Sequence, residues 1–324
     1  ELAGNKHSKT LLANIVKNGN MPNLIMTGPP GTGKTSSINV LANEILIFGG
    51  NNYTKSCLLE LNASDDRGID VVRDTIKTFA RKKVDLPEGK HKIIILDEAD
   101  SMTPSAQQAM RRTMEMCSNS TRFAFSCNDY SKIIEPLQSR CNILRYGRLS
   151  NKQVIEKIKI ITEAEKLKST EKGLEAIADT SHGDLRKAIN NLQATSCIGK
   201  ITEKNVYKIC NKPTLEIMEN LICYCIEQNR KKASEILGDM YYDSYSPSDI
   251  LESMFSVIKK IDYITDEAKI EMIECIGNIS MRISEGSGTI LQLESLICKI
   301  IVISKKFSLE VEYESDEEGD EEEK

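Results

Sequence analysis

The chain has no tryptophan and only three histidines, and aromatic residues make up 5% of it. His7, His91 and His182 lie far apart, and no Cys/His cluster has the spacing of a zinc site, which argues against a zinc centre. No apolar run reaches the roughly 18 residues that a membrane-spanning helix needs. The opening residues, Glu1-Leu2-Ala3-Gly4-Asn5-Lys6, show no basic stretch leading into an apolar one, so no secretory signal is visible. Ten cysteines are present but irregularly spaced, which does not suggest a disulfide framework and fits a reducing compartment, cytosol or nucleus. Cys223 and Cys225 fall on an expected helix and read as core. No nucleophile–base arrangement can be argued from the sequence.

What the chain does have is length and a mixed composition. Its 324 residues correspond to about two domains at roughly 150 residues each. With 40% hydrophobic and 28% charged residues it can bury a core over most of its length. Its net charge of −5 conceals an asymmetry. From Glu310 to Lys324 there are ten acidic residues and one lysine, a net of −9, which leaves the body at +4. That balance leaves nucleic-acid binding open once the tail is set aside. The tail itself is expected to be disordered.

Strand-like and helix-like segments alternate through the first half. Strands are expected at Leu24–Thr27, Leu58–Leu61, Lys92–Leu96, Arg122–Cys127 and Cys141–Tyr146. The most apolar, Lys92-Ile93-Ile94-Ile95-Leu96, has the composition of a strand buried on both faces. Helices are expected at Thr35–Ile47 and Ile69–Ala80, and from Pro104, capped by Thr103, to about Cys117. This alternation predicts a parallel α/β sheet. After Arg148 the pattern turns helical. Ser150 and Gln153 form a capping box, and Thr170, Gly183 and Thr202 punctuate three more short helices. The boundaries expected are 1–148 for the α/β domain, 149–211 for a small helical unit, 212–309 for a second helical domain and 310–324 for the acidic tail.

The chemistry is concentrated in two motifs. Gly28-Pro29-Pro30-Gly31-Thr32-Gly33-Lys34-Thr35 matches the phosphate-binding loop G-x-x-x-x-G-K-[ST] and sits between a strand and a helix, as the mechanism requires. The loop's backbone N–H groups and the helix N-terminus suit a β-phosphate. Lys34 is expected to reach the β- and γ-phosphates, and the Thr35 hydroxyl to ligate Mg²⁺. Asp97-Glu98-Ala99-Asp100 follows the isoleucine-rich strand, at the strand end where α/β sheets bind ligands. Asp97 is expected to hold Mg²⁺, and Glu98 to orient and deprotonate the attacking water. Asn128, at the end of the fourth strand, could reach a γ-phosphate or the water. Taken alone, Asn128 reads as a turn residue, and Arg140 and Arg186 read as surface charges. Arg73, Lys77 and Arg81 recur every four residues and share one helix face, with Arg111 and Arg112 on the next helix. On spacing alone a solvated basic face is favoured over a phosphate-tracking stripe.

Several longer stretches carry a resemblance: MPNLIMTGPPGTGKTSSI, LELNASDDRGIDVVRDTIKTFA, KHKIIILDEADSMTPSAQQAMRRTME, TRFAFSCN, KIIEPLQSRCNILRY and GDLRKAINNLQ. In order and spacing, from about residue 4 to 309, the chain resembles the small subunits of eukaryotic replication factor C, the ATP-driven loader of sliding clamps, and within them the second-subunit branch. The phosphate loop alone would say only NTPase. The resemblance implies an AAA+ module, with a parallel five-stranded sheet and flanking helices, followed by a helical lid and a C-terminal all-helical collar domain. It implies an ATPase using ATP and Mg²⁺. It gives Asn128 the sensor 1 position, Arg186 the sensor 2 position, and Arg140 the role of an arginine finger supplied to the neighbouring subunit. It implies that Arg73, Lys77, Arg81, Arg111 and Arg112 face primer–template DNA. With no interleaved aromatics to stack bases, contact with the DNA backbone is expected. The implied partners are the other subunits of a heteropentamer, the sliding clamp PCNA and DNA; the implied compartment is the nucleus, and no membrane is involved. An aromatic–Glu–Lys–Tyr–Arg–Pro segment that helps enclose adenine in the family has no counterpart here, so the N-terminal segment reads as missing and the adenine pocket as incomplete.

Two other readings compete. A DEAD-box RNA helicase needs a second RecA-like α/β domain, whereas residues 149–309 read as helical throughout. A subunit that binds ATP without hydrolysing it, acting as a scaffold, is opposed by the presence of both Lys34 and Glu98.

Overall fold

The computed structural model of the chain describes residues 4–48, 51–52, 54–64, 69–82, 84 and 90–308. The acidic tail lies outside the described residues. Two compact units divide the chain, Glu1–Thr202 and Glu203–Lys324.

The first unit is built on five strands, β1 (Leu24–Thr27), β2 (Leu58–Asn62), β3 (Lys92–Asp97), β4 (Thr121–Cys127) and β5 (Asn142–Arg145). All pair in parallel, in the order β2-β3-β4-β1-β5. Side chains alternate between the two faces of the sheet, and each face makes its own core. Leu24, Met26, Ile93, Ile95 and Ala124 pack on one side with Ile38, Leu41 and Ile45 of helix α2 (Lys34–Leu46), following helix α1 (Lys6–Asn18). Ile25, Ile94, Leu96, Phe123 and Phe125 pack on the other with Ile76 and Ala80 of α3 (Ile69–Arg81) and with Met110 and Met114 of α4 (Pro104–Met116). Apolar residues therefore occupy consecutive positions in the central strands, because both faces are covered.

Helix α1 is absent from the sequence-based expectations. Leu12 and Ile15 are buried against the sheet's first face, with Leu11 and Val16 packed beside them, and Gly19 closes the helix in a left-handed conformation. Those spacings and the C-terminal glycine were the available signals. A short antiparallel ribbon, Ile47–Phe48 with Asn51–Asn52, was also not expected.

The first unit also carries the longer helices α5 (Asn151–Ala164), α6 (Glu171–Ser181) and α7 (Leu185–Ile198). The expected capping box at Ser150 and Gln153 is present in both its hydrogen bonds. In the second unit, among the described residues, there are only helices: α8 (Glu203–Cys210), α9 (Leu215–Ile226), α10 (Arg230–Tyr242), α11 (Pro247–Lys260), α12 (Asp266–Ser284) and α13 (Ile290–Phe307). The sequence assigns α8 to the small helical unit; the compact division groups it with the later helices. Cys225 is fully buried in this second core, and burial pushes its thiol up to about 12. The second set of buried strands that a helicase requires is absent from these described residues.

One charged side chain has a structural task inside the first unit. Lys92, 3% exposed, begins β3. Its ammonium donates to the carbonyls of Phe79 (2.8 Å), Ala80 (2.6 Å) and Lys82 (2.7 Å), and so caps the C-terminus of α3. A helix end buried without partners would leave its last carbonyls unsatisfied. Lys92→Met keeps the volume and removes the donors. It is expected to destabilise the first unit by about 2–4 kcal/mol, since hydrogen bonds to charged groups contribute about 1.5–3 kcal/mol each and water partly replaces them. A lowered urea midpoint checks this; an unchanged midpoint would mean that the carbonyls find other partners.

Candidate active site

The loop between β1 and α2 turns on two tight glycine positions. At Gly28 (φ 150°) a Cβ would lie 2.1 Å from the Tyr146 carbonyl oxygen. At Gly31 (φ 68°) a Cβ would lie 1.7 Å from Asp184 Oδ1. Only glycine permits these conformations and approaches at no steric cost. Asp184 is the N-cap of α7, accepting from the Lys187 N–H, and the Leu185 N–H donates to the Gly31 carbonyl at 3.2 Å. The phosphate-loop sequence and the helix bearing Arg186 are thus joined by direct contact.

Lys34, the first residue of α2, is only 7% exposed. Its ammonium donates to the carbonyls of Gly28 (2.7 Å) and Pro29 (2.9 Å) and to Asn128 Oδ1 (3.0 Å). Burial pushes its pKa down, against the pull of negative charge that includes Asp97 and Asp100; Arg186 adds to the downward push. Thr35 Oγ1 donates to Asp97 Oδ2 at 3.0 Å, with Ser126 Oγ 3.5 Å away. Asp97 ends β3, and its Oδ1 accepts the Glu98 N–H at 3.0 Å. Glu98 has φ 52° and ψ 40°, a left-handed conformation that costs a non-glycine residue on the order of 1–3 kcal/mol. Strain of that size in an exposed acid at the carboxyl end of β3 is typical of a functional position. Cys127, beside Asn128, is buried, and burial pushes its thiol up, which makes it a poor nucleophile.

A cavity of about 320 Å³ brings these groups together. Pro30, Gly31, Thr32, Gly33, Lys34, Thr35, Asp97, Glu98, Asn128 and Arg186 all line it. Gly28 and Pro29 contribute through the carbonyls that hold Lys34. Four separate sequence motifs therefore meet in one cleft at the carboxyl ends of β1, β3 and β4. A hydroxyl and a carboxylate in contact beside a lysine suit a magnesium–phosphate group, since hard cations take oxygen ligands. Sequence reasoning missed Ser126, Leu185, Ile189 and Asn190 in the same cleft. On α7, Leu185 adjoins Arg186, and Ile189 and Asn190 follow it at helical spacing, which was the available signal.

Arg140 does not line that cleft. It lies just after the short helix Glu135–Gln138. Its NH1 donates to the Pro136 carbonyl (2.8 Å) and Ser139 Oγ (3.4 Å), and its NH2 to Glu115 Oε1 (2.6 Å). Gln107, 1% exposed on α4, fixes the preceding loop. Its amide donates to the Met102 and Lys132 carbonyls, and its carbonyl accepts the Ile134 N–H at 2.8 Å. Neither Gln107 nor Glu115 was singled out from sequence.

The basic residues on α3 and α4 divide. Lys77, Arg81 and Arg112 line one cavity of about 220 Å³ between the two helices, together with Ala109, Thr113, Met116 and Cys117. Arg111 turns instead to Glu115, its Nε donating to Oε1 at 3.1 Å. Arg73 belongs to the first turns of α3, and its side chain lies outside the described residues.

This sheet, loop and helical unit make the protein an AAA-type ATPase. Residues 24–149 match the model of the ATPase family associated with various cellular activities, and residues 156–197 match the RCF1/5-like AAA+ ATPase lid domain. Residues 213–299 match the replication factor C C-terminal domain. The chain is 49% identical to replication factor C subunit 2 of Arabidopsis thaliana, over 94% of this chain and 90% of the relative. It is 50% identical to replication factor C subunit 4 of Saccharomyces cerevisiae, over 94% and 93%. It is 41% identical to a replication factor C small subunit of Staphylothermus marinus, over 94% and 92%. Among solved structures, the RuvB Holliday junction branch migration motor of Thermotoga maritima matches with a TM-score of 0.53 at 17% identity, over 68% of this chain and 76% of that one, a likeness of fold alone. The chain belongs to the replication factor C family, as a small subunit, and is a clamp-loader ATPase.

Proposed function

We propose that the chain binds ATP·Mg²⁺ in the cleft around Lys34, hydrolyses it there, and couples that cycle to placing a sliding clamp, PCNA, on primer–template DNA within a nuclear heteropentamer. The observation that carries this reading is the convergence of Lys34, Thr35, Asp97, Glu98, Asn128 and Arg186 on one cavity. The N–H groups from Gly31 to Thr35 and the ammonium of Lys34 cradle the β- and γ-phosphates. Thr35 and Asp97 hold Mg²⁺, which neutralises developing phosphate charge. Glu98 accepts a proton from water as the water oxygen attacks the γ-phosphorus. The bond to the bridging oxygen breaks, and ADP and phosphate leave. Asn128 steadies Lys34 and the γ-phosphate end of the cleft. Arg186 reaches in from α7 and makes closure of the lid sensitive to nucleotide. Arg140, outside the cleft, acts on the nucleotide of the adjoining subunit. Residues 149–211 serve as the lid and 212–309 as the collar that joins subunits.

Lys77, Arg81 and Arg112, with Arg73 and Arg111, take the DNA backbone. Three cations around one cavity between two helices suit a phosphate, and nothing there stacks a base. Reversing charge at Lys77 and Arg112 (both to Glu) is expected to abolish most DNA stimulation of ATP turnover while leaving ATP binding intact. The salt dependence of the remaining DNA binding should flatten by about two phosphate contacts. Unchanged DNA stimulation in that double variant would remove these residues from the interface.

A further inference from the structure

Glu115 holds two arginines with one oxygen. Its Oε1 accepts from Arg111 Nε at 3.1 Å and from Arg140 NH2 at 2.6 Å. Arg111 is one helical turn away on α4, whereas Arg140 arrives from the loop after residues 135–138. All three side chains are partly exposed, at 38% for Arg111, 42% for Glu115 and 35% for Arg140. Exposed ion pairs contribute little to stability, so holding the fold together is a weak reason for this arrangement. Geometry gives a better one.

The backbone at Arg140 is already fixed. Its N–H donates to the Leu137 carbonyl at 3.1 Å, and the amide of Gln138 donates to the Tyr130 and Ile133 carbonyls. What the backbone leaves undetermined is a long side chain with a charged end. Glu115, the Pro136 carbonyl and Ser139 Oγ settle it, taking one NH2 and both NH1 hydrogens. Of the five N–H donors on a guanidinium, these bonds leave Nε–H and one NH2 hydrogen for an incoming oxygen. The charges also balance suitably. A carboxylate against one arginine would cancel the charge that attracts phosphate. With Arg111 on the same oxygen the cluster keeps a net of one positive charge, while Arg140 is still held in place.

We propose that Glu115 is a positioning residue for Arg140: it orients the guanidinium toward the adjoining subunit's γ-phosphate, and Arg111 offsets the negative charge this requires. This rests on the reading of Arg140 as the residue supplied in trans. It also ties the aim of Arg140 to the C-terminal half of α4, where Arg112 lines the basic cavity.

The test is a double-variant cycle in the assembled loader, with turnover measured across ATP concentrations in the presence of primer–template DNA and clamp. Glu115→Ala is expected to lower kcat at the adjoining site about tenfold, as displacing a catalytic group slightly can cost up to about 100-fold. KM for ATP, and binding of a fluorescent ATP analogue by this chain's own site, should not change. Glu115→Gln keeps one acceptor and should fall between. Arg140→Ala should fall further, and adding Glu115→Ala to it should do nothing more. The inference is overturned if Glu115→Ala leaves kcat intact while Arg140→Ala lowers it, or if Glu115→Ala costs as much in the Arg140→Ala background as alone. If Arg140→Ala itself leaves turnover unchanged, the trans reading of Arg140 fails, and the positioning role falls with it.

Discussion

Replacing Arg140 by alanine is expected to lower hydrolysis at the adjoining subunit's site by about 10³-fold, the low end of what an arginine finger contributes to phosphoryl transfer. That loss corresponds to about 4 kcal/mol of transition-state stabilisation. Nucleotide binding by the chain that carries the change should be untouched, because Arg140 makes its hydrogen bonds outside the cleft around Lys34. Arg140→Lys should recover little. An ammonium cannot donate at once to Glu115, to the loop and to a phosphate in the fork geometry of a guanidinium. The quantity to measure is the site's share of clamp- and DNA-stimulated turnover in an otherwise normal assembly. Equal losses of hydrolysis and of this chain's own nucleotide affinity would show instead that Arg140 supports its own subunit.

Glu98→Gln should stop hydrolysis in this chain's own cleft while ATP still binds. A positioned general base contributes about 10²–10⁴-fold, and glutamine can orient a water but cannot take its proton. The Thr35–Asp97 contact and the three bonds to Lys34 do not involve the Glu98 side chain, so the phosphate cradle persists. The variant should therefore accumulate an ATP-bound assembly that takes up clamp and DNA but releases them slowly. Lys34→Ala makes the contrast, since it removes the cation that faces the phosphates and should lose ATP affinity itself. If Glu98→Gln leaves turnover of the whole assembly unchanged, this subunit binds ATP without spending it, and the scaffold reading is correct.

Much of this was legible in the sequence because the signals were local. Strands buried on both faces advertise themselves as apolar runs, and Ile93 to Leu96 is the plainest case. The phosphate loop carries its own fingerprint, and its strand and helix stand on either side of it. Thr103 with Pro104, and Ser150 with Gln153, mark helix starts through hydrogen bonds that span only three residues. The losses came where meaning depends on three-dimensional placement. Lys92 reads only as the first residue of a buried strand and turns out to cap a helix that ends about ten residues earlier in the chain. Arg111 and Arg112 read as one basic pair, yet adjacent helical positions point about 100° apart, and the two serve different neighbours. Gly31 reads as a loop residue, while its contact with Asp184 comes from a helix more than 150 positions later. Glu115 reads as one more exposed acid until the loop bearing Arg140 is folded against it.

On the function proposed, the cleft around Lys34 works within a machine driven by both DNA and clamp. The most direct test is ATP turnover by the purified assembly containing this chain, measured with primer–template DNA, with sliding clamp, with both, and with neither. Both together should stimulate turnover well beyond either alone, and Glu98→Gln in this chain should remove part of that stimulated rate. Turnover indifferent to DNA and clamp, or stimulated by RNA alone, would contradict that function.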